Sequence, residues 1–153
     1  MTSFASWLAQ GPWPIDGGLS GELEKRGHNL ADKLWSARLL RDAPEAIAEV
    51  HQDYVDAGGR VIITASYQAS RTGFVATGMT EAQADDLMKL SITLAKDVAA
   101  KAPEKVWVAA SVGPYGAVLG GGQEYVGNYG VAHEELVKFH RERIEVLASA
   151  NPD

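Results

Sequence analysis

Three short stretches of the sequence combine small residues with side chains that can bind a ligand. They are Asp16-Gly17-Gly18, the segment 64–70 and the segment 111–129. The Asp16 carboxylate could hold the ammonium group of a ligand through a charge-assisted hydrogen bond. The two glycines have no side chain, so their backbone N–H groups could approach a ligand carboxylate closely. Spacing alone leaves a second interpretation open, in which Asp16 only caps a helix that begins near Leu19.

Aromatic residues stand near the same stretches, outside the periodic positions of a helix core. Such rings could line a pocket for an apolar or cationic ligand, because an aromatic face attracts a cation. Core packing is the alternative for each ring taken singly. The aromatic residues are Trp35, Tyr67, Tyr115, Tyr125 and Tyr129.

Glu22 also has two interpretations. It could contact a ligand, or it could be a solvated residue on a helix surface.

The apolar runs of the chain predict how these stretches are positioned. Nearly continuous runs at 61–65 and 106–112 are typical of strands buried on both faces of a parallel sheet, and residues 12–15 predict a short first strand. Helices are predicted between the strands, and this order requires parallel pairing with right-handed crossovers. Ligands in such sheets bind beyond the carboxyl ends of the strands, where all three polar stretches lie.

Local signals mark the helices. Pro44 at a first helical position opens one that Gly58 ends, and a capping box at 80–83 opens a long one that stops before Pro103. Residues 3–10 predict a short helix that could act as a lid. The last helix is predicted to turn Leu136, Phe139, His140, Ile144 and Leu147 inward. His51 and His140 are expected to be buried with one hydrogen bond each, and His28 and His133 to lie at the surface or at helix caps.

Composition excludes several classes of function. The chain has 153 residues, a net charge of −6 and no cysteine. No basic surface is available for nucleic acid or for an anionic membrane. No apolar run approaches the ~20 residues that span a bilayer, and the first residues do not form a signal peptide, so we expect a cytoplasmic protein. Without cysteine there is no disulfide, no thiolate nucleophile and no cysteine-ligated metal.

Four motifs in order resemble the homocysteine S-methyltransferase family, in its S-methylmethionine-using branch. The likeness runs from about Ile15 to Asp153. It implies a (β/α)8 barrel of which this chain holds the first three βα units, as an α/β, parallel-stranded, incomplete barrel forming a single partial homocysteine-binding domain over 1–153. The motifs are the segments 16–27, 34–37, 64–70 and 111–117.

The resemblance also implies a mechanism and a set of site residues. In the family, zinc held by three cysteines keeps the homocysteine sulfur as a thiolate and directs it at a methyl group on a sulfonium. Asp16 and Gly17 match positions that hold the amino acid part of homocysteine, and Trp35 and Tyr67 match aromatic residues on the methyl-donor side. Other residues in the matching motifs are assigned to the pocket wall: Glu22, Thr64, Ser66 and Ser111.

The expected function is therefore that of an amino-terminal portion of a homocysteine S-methyltransferase. We expect it to be inactive alone and to bind no zinc, because the cysteine ligands are absent and the four histidines are scattered. Three parallel strands would leave open edges, so self-association or a complementary chain is expected. The alternative is a non-catalytic amino-acid-binding or assembly module.

Overall fold

The computed structural model describes residues 3–31 and 34–153. Two parallel strands are joined and surrounded by helices. The strands are Val61–Ile63 (β1) and Trp107–Ala109 (β2). The α-helices are Phe4–Leu8 (α1), Leu19–Lys25 (α2), Leu39–Asp42 (α3), Pro44–Asp56 (α4), Arg71–Val75 (α5), Glu81–Ala99 (α6), Tyr115–Leu119 (α7) and His133–Ser149 (α8), with 3₁₀ turns at Trp35–Arg38 and Gln123–Tyr125.

The two long helices before β2 form where local signals predict them. Pro44 is the first residue of α4, where its missing N–H costs nothing. Thr80 caps α6 in a complete capping box, in which its hydroxyl accepts from the Gln83 N–H and the Gln83 side chain accepts from the Thr80 N–H. Both predictions are confirmed, and α4 and α6 pack against each other beside the sheet.

The sheet is parallel, as predicted, but smaller than the predicted three strands. Val61, Ile62 and Ile63 pair with Trp107, Val108 and Ala109. Residues 12–15 contribute only one bridge, at Ile15, flanked by hydrogen bonds of 2.8 Å from Arg60 N to Pro14 O and 2.9 Å from Asp16 N to Val61 O. Pro12 and Pro14 have no N–H to donate, so this segment cannot extend a ladder. The description as three complete βα units is therefore corrected to two strands and a bridge.

The two faces of the sheet have different surroundings. Ile62 and Val108 turn to the helix side, where they pack with Val55, Ala95 and Val98 in one apolar cluster. The register places Val61, Ile63 and Ala109 on the other face, with Ile15 beside Val61. Ile15 is 60% exposed and Ile63 38%. This apolar sheet face is therefore left partly uncovered, at Ile15 and Ile63.

The amino-terminal helix lies at the other end of the strands from the predicted site. Trp7 of α1 stacks on Trp13 at 4.7 Å between ring centroids, and both Trp7 and Phe4 contact Trp107, the first residue of β2. The interpretation of residues 3–10 as a lid over the site is wrong, because this aromatic cluster fixes α1 at the amino end of β2. None of the described helices is both long and apolar enough to span a membrane.

Helix α8 turns inward a face that matches the prediction only in part. Leu147 is buried, as predicted, together with Arg143 and Val146, whereas Ile144 is 48% exposed and His140 is only half-buried. The buried side of α8 is thus centred nearer to Arg143 than predicted. The reason is that the Arg143 guanidinium makes buried contacts, which are described below. His133 is exposed and His28 half-buried.

The uncovered sheet face predicts that the chain associates. At micromolar concentration we expect sedimentation velocity to show species larger than a monomer, because burying Ile15 and Ile63 removes apolar surface from water. Ile63→Lys should shift the distribution toward monomer, whereas Val75→Lys, a change at a similarly exposed residue of α5, should not. A wild-type chain that sediments as a single folded monomer would contradict this argument.

Candidate functional site

Asp16 is a buried carboxylate with one oxygen left unpaired. It follows the Ile15 bridge directly and is 9% exposed. Its Oδ2 accepts a hydrogen bond from the Ile63 N–H at 2.7 Å, while its buried Oδ1 has no hydrogen-bond partner among the described residues. Burial raises the pKa of this carboxyl to about 6, against the smaller lowering effect of the Ile63 N–H. The charged form is therefore poorly compensated in the free protein.

The alternative role of Asp16 as a helix cap is wrong. Gly18 occupies the N-cap of α2, and no side chain makes a capping hydrogen bond there. The Asp16 carboxylate turns instead toward β1, where it binds the Ile63 N–H. This contact ties the loop after the Ile15 bridge to the carboxyl end of β1.

A cavity of about 210 Å³ opens at the carboxyl ends of the strands beside Asp16. Its walls come from the loops that follow the bridge, β1 and β2, together with the 3₁₀ turn at Trp35–Arg38. Six of the eight residues predicted for the site line it: Asp16, Gly17, Trp35, Thr64, Tyr67 and Ser111.

Ser66 and Thr64 connect the ends of the strands through their hydroxyls. Ser66 Oγ donates to the Ser111 carbonyl at 2.8 Å, and the Ser111 N–H donates to Thr64 Oγ1 at 3.0 Å. The two hydroxyls are 2.7 Å apart. Because the Ser66 proton is already used, Thr64 must be the donor in this pair. The closed ring of hydrogen bonds makes Ser66 a support of the pocket, since it is fully buried and does not line the cavity.

Glu22 does not line the cavity. It lies on α2 with ion pairs to Lys25 at 2.6 Å and Arg26 at 3.4 Å, and the hydrogen bond from Lys25 is the main cause that lowers its pKa. This geometry is that of a solvated helix surface, which was the alternative interpretation of Glu22. A substrate-binding role for Glu22 has no support in the free chain.

Trp35 adopts a backbone conformation that is rare for a large residue. Its φ is +48°, in the left-handed region, and its side chain is 37% exposed. A bulky residue there carries strain of roughly 1–2 kcal/mol. The strained turn places the indole at the edge of the cavity, where its ring can face a ligand.

Arg143 positions two of the cavity loops, and the sequence reasoning missed it. Its buried guanidinium donates to the carbonyl of Gly113 at 2.8 Å, to that of Ser66 at 2.5 Å and to that of Tyr67. Burial lowers the pKa of Arg143 to about 10, so it stays charged at neutral pH. The sequence does contain a signal for this role. Arg143 stands four positions before Leu147, so a charged residue falls on the apolar side of the last helix.

Gly113 permits the close approach of these two loops. A Cβ added there would lie 2.3 Å from the Tyr67 carbonyl oxygen, a contact that backbone atoms cannot relieve without moving. The loops after β1 and β2 thus touch at a position that only glycine fits, next to the carbonyls that Arg143 binds.

The histidines do not form a metal site. His51 is buried, as predicted, but the predicted hydrogen bond is wrong, because neither ring nitrogen has a partner among the described residues. Burial lowers its pKa to about 4, so the ring is neutral at pH 7. Within residues 3–31 and 34–153, no three histidine, aspartate or glutamate side chains are grouped so as to hold a metal ion.

Comparison with known proteins finds one family. A family model described as homocysteine S-methyltransferase matches residues 15–153. A homocysteine S-methyltransferase of Escherichia coli is 48% identical over 145 residues, and one of Bacillus subtilis is 44% identical over 152; each alignment covers 91% of this chain and 47% of the relative. The chain therefore spans about half the length of the curated relatives it matches.

A solved structure has the same fold. The crystal structure of the homocysteine methyltransferase MmuM from Escherichia coli, in its metallated form, is similar with a TM-score of 0.88 and 46% identity. The match covers 97% of this chain and 54% of that one. The predicted family resemblance is thereby confirmed.

The buried Asp16 predicts an unusual pH dependence of stability. Its pKa is raised in the folded state, so its protonated form stabilises the fold below about pH 4, and this stabilisation is lost as the pH rises through about 6. Asp16→Asn should abolish this loss of stability at higher pH, because asparagine does not ionise. The free energy of unfolding at pH 7 should therefore increase by up to about 3 kcal/mol. Urea denaturation at pH 4.5 and pH 7 measures both effects. Equal pH profiles for the two proteins would show that Asp16 is not desolvated.

Loss of the Arg143 guanidinium should destabilise the fold. Arg143→Met leaves three backbone carbonyls without their charged donor, and we expect the free energy of unfolding to fall by about 3 kcal/mol. The matched control is Arg141→Met, an exposed position on the same helix, which should change stability by less than about 0.5 kcal/mol. Equal urea midpoints for the two variants would contradict the assigned contacts.

Proposed function

The chain belongs to the homocysteine S-methyltransferase family, and on that basis we propose that it binds homocysteine at the carboxyl ends of its strands, as the amino-terminal portion of an enzyme that methylates the homocysteine sulfur. Support for an amino-terminal portion comes from the relatives, of which the chain matches about half. Nothing in the comparisons favours the alternative of a non-catalytic module.

The unpaired Oδ1 of Asp16 is the observation that carries the proposal. This buried oxygen lies beside a cavity of about 210 Å³, which suits the head group of an amino acid. A homocysteine ammonium placed there would form a charge-assisted hydrogen bond and would offset the cost of burying the carboxylate. Burial raises the pKa of Asp16, and a ligand ammonium beside the carboxylate would counter that rise by stabilising the charged form.

Gly17, Trp35 and Tyr67 have complementary roles in this proposal. The Gly17 backbone is open to the cavity, so its N–H can approach the substrate carboxylate. The rings of Trp35 and Tyr67 line the same cavity and offer faces to a cationic methyl donor such as S-methylmethionine. Thr64, Ser66 and Ser111 hold the wall in place through their ring of hydrogen bonds.

The proposed reaction is a displacement between two sulfur atoms. The homocysteine thiol gives its proton to solvent water, and a lone pair of the resulting thiolate forms a bond to the methyl carbon of the sulfonium. The donor's S–CH₃ bond breaks and its electron pair stays on the departing sulfur, which becomes a neutral thioether. With S-methylmethionine as donor, both products are methionine. Orientation of the two sulfurs in line supplies much of the rate enhancement.

The residues of this chain do not fit the zinc that the family resemblance implies. A thiolate zinc site requires cysteines, of which the sequence has none, and the described histidines and carboxylates form no group that could replace them. What this chain contributes in the proposal is recognition of the amino acid and of the donor.

A covering partner for the open sheet face is part of the proposal. Ile15 and Ile63 are exposed on a face that parallel sheets keep buried. A chain that completes the barrel would cover these two residues. Where no such partner is present, a second copy of this chain would cover them instead. The single partial domain over 1–153 and a cytoplasmic location remain predictions.

Homocysteine binding tests the proposed site. Isothermal titration should show that Asp16→Ala weakens homocysteine binding by about tenfold to more than a hundredfold, since a charged hydrogen bond contributes roughly 1.5–3 kcal/mol. Tyr67→Leu should leave homocysteine binding largely unchanged and weaken binding of the sulfonium donor instead.

Asp97→Ala, an exposed carboxylate on α6, serves as the control and should bind homocysteine like the wild type. Equal homocysteine affinity in the Asp16→Ala variant would restrict Asp16 to its structural contact with the Ile63 N–H.

A further inference from the structure

Tyr54 packs against the backbone of Gly17 without lining the cavity beside Asp16. A Cβ added to Gly17 would lie 2.9 Å from Tyr54 Oη and 3.2 Å from Tyr54 Cε1 and Cζ, and these three atoms are the nearest to it. Gly17 has no positive φ, so its backbone conformation suits any residue. The Tyr54 ring is therefore what makes a side chain at position 17 unfavourable.

Several contacts of α4 hold the Tyr54 ring in place. Tyr54 is half-buried and packs against the larger apolar cluster of the core. Its carbonyl accepts the Gly59 N–H at 2.8 Å, where the chain turns from α4 toward β1. The neighbouring Asp53 forms an ion pair with Arg26, which also donates to the Glu22 carbonyl of α2 at 2.9 Å. These contacts keep the ring beside the loop that leads into α2.

Asp16 and Gly17 are thus positioned by different elements. The Asp16 carboxylate accepts the Ile63 N–H of β1. The Gly17 backbone rests against the Tyr54 ring of α4. The pKa of the Tyr54 phenol reflects this proximity, because burial raises it most and the Glu22 and Asp16 carboxylates raise it further.

An α-amino acid makes a strict demand on such a pair of groups. Its ammonium and its carboxylate are attached to the same carbon atom, so the distance between them is short and nearly constant. A site that binds the ammonium at Asp16 and the carboxylate at the Gly17 N–H needs an equally constant distance between these two groups of the protein.

We propose that Tyr54 is a positioning residue of the amino-acid site, whose ring sets where the Gly17 N–H lies relative to the Asp16 carboxylate and so favours a ligand with both charged groups on one carbon. This inference rests on the proposed function and adds to it a residue outside the cavity. The ring does not touch the ligand. It acts through the Gly17 backbone, because a smaller side chain at position 54 would let this backbone move toward α4 and away from the ligand carboxylate.

The test measures what the ligand carboxylate contributes to binding. Homocysteine and 3-aminopropane-1-thiol, which is homocysteine without its carboxylate, are titrated into the full chain by calorimetry, and the weaker ligand is measured by displacement of the stronger. Tyr54→Leu keeps an apolar side chain but removes the atoms nearest to Gly17, so we expect the ratio of the two affinities to fall roughly threefold to tenfold.

Tyr54→Phe retains the ring and should retain the ratio of affinities. A loss of stability alone would lower both affinities together and leave their ratio unchanged, so the ratio separates positioning from a general structural role. Tyr54→Val lacks the same atoms as Tyr54→Leu and replaces it if the leucine variant does not fold.

Alanine at position 17 tests the same contact from the loop. Gly17→Ala places a methyl group against the ring and should weaken homocysteine binding about tenfold. In the Tyr54→Leu background, which has room for the methyl group, the same change should weaken binding less than about threefold. Gly21→Ala is the control, because a Cβ at this exposed position of α2 meets no neighbouring atom of the described residues within 4 Å. Its effect should be small and equal in both backgrounds.

The outcomes distinguish a failure of the positioning role from a failure of the proposed function. A lower ratio in Tyr54→Leu, together with the weaker effect of Gly17→Ala in that background, supports the role of Tyr54. Homocysteine binding with an unchanged ratio, or with equal effects of Gly17→Ala in both backgrounds, overturns this role and leaves the proposed function intact. A wild-type chain that does not bind homocysteine overturns both. Circular dichroism confirms that each variant is folded.

Discussion

The contact of Arg143 with three backbone carbonyls determines the geometry of the candidate site. Parallel pairing of β1 and β2 brings the carboxyl ends of both strands to one edge, but the loops that follow would be free to separate. One buried guanidinium on α8 binds carbonyls from both loops, and Gly113 allows them to touch. The hydrogen bonds of the Thr64 and Ser66 hydroxyls connect the same two loops at a point nearer to the strands. Tyr67 and Ser111 face one cavity because these contacts hold their backbones in place.

The candidate site and the sheet each contain groups whose favourable interactions are not formed in the isolated chain. Among the described residues, none donates a hydrogen bond to the buried Oδ1 of Asp16, and Ile15 and Ile63 are exposed on the sheet face. Both features cost stability in the free chain, through desolvation of a charge and exposure of apolar surface. An ammonium ligand at Asp16 and an apolar surface on the sheet face would each remove one of these costs. Binding at either place would then increase the stability of the fold.

Local signals in the sequence were sufficient for the long helices, because a proline at the first turn and a capping box act within a few residues. Strand lengths were overestimated, since an apolar run such as 106–112 continues past the ladder, and two prolines reduce the first strand to a bridge. Six of the residues predicted for the site line one cavity, since loops at one sheet edge must converge. Ser66 was misplaced because sequence does not reveal which loop side chains turn inward, and Arg143 was missed because its partners are backbone carbonyls.

Because the backbone at Trp35 is left-handed, selection for stability and selection for ligand binding favour different residues at this position. Glycine or asparagine tolerates φ near +48° far better than tryptophan does, so a library screened for thermal stability should enrich small residues at this position. The same replacements would delete the indole ring at the edge of the cavity beside Asp16. A screen for ligand binding should therefore retain tryptophan where a screen for stability discards it. Position 35 is a residue at which sequence optimisation for folding and for recognition lead in opposite directions.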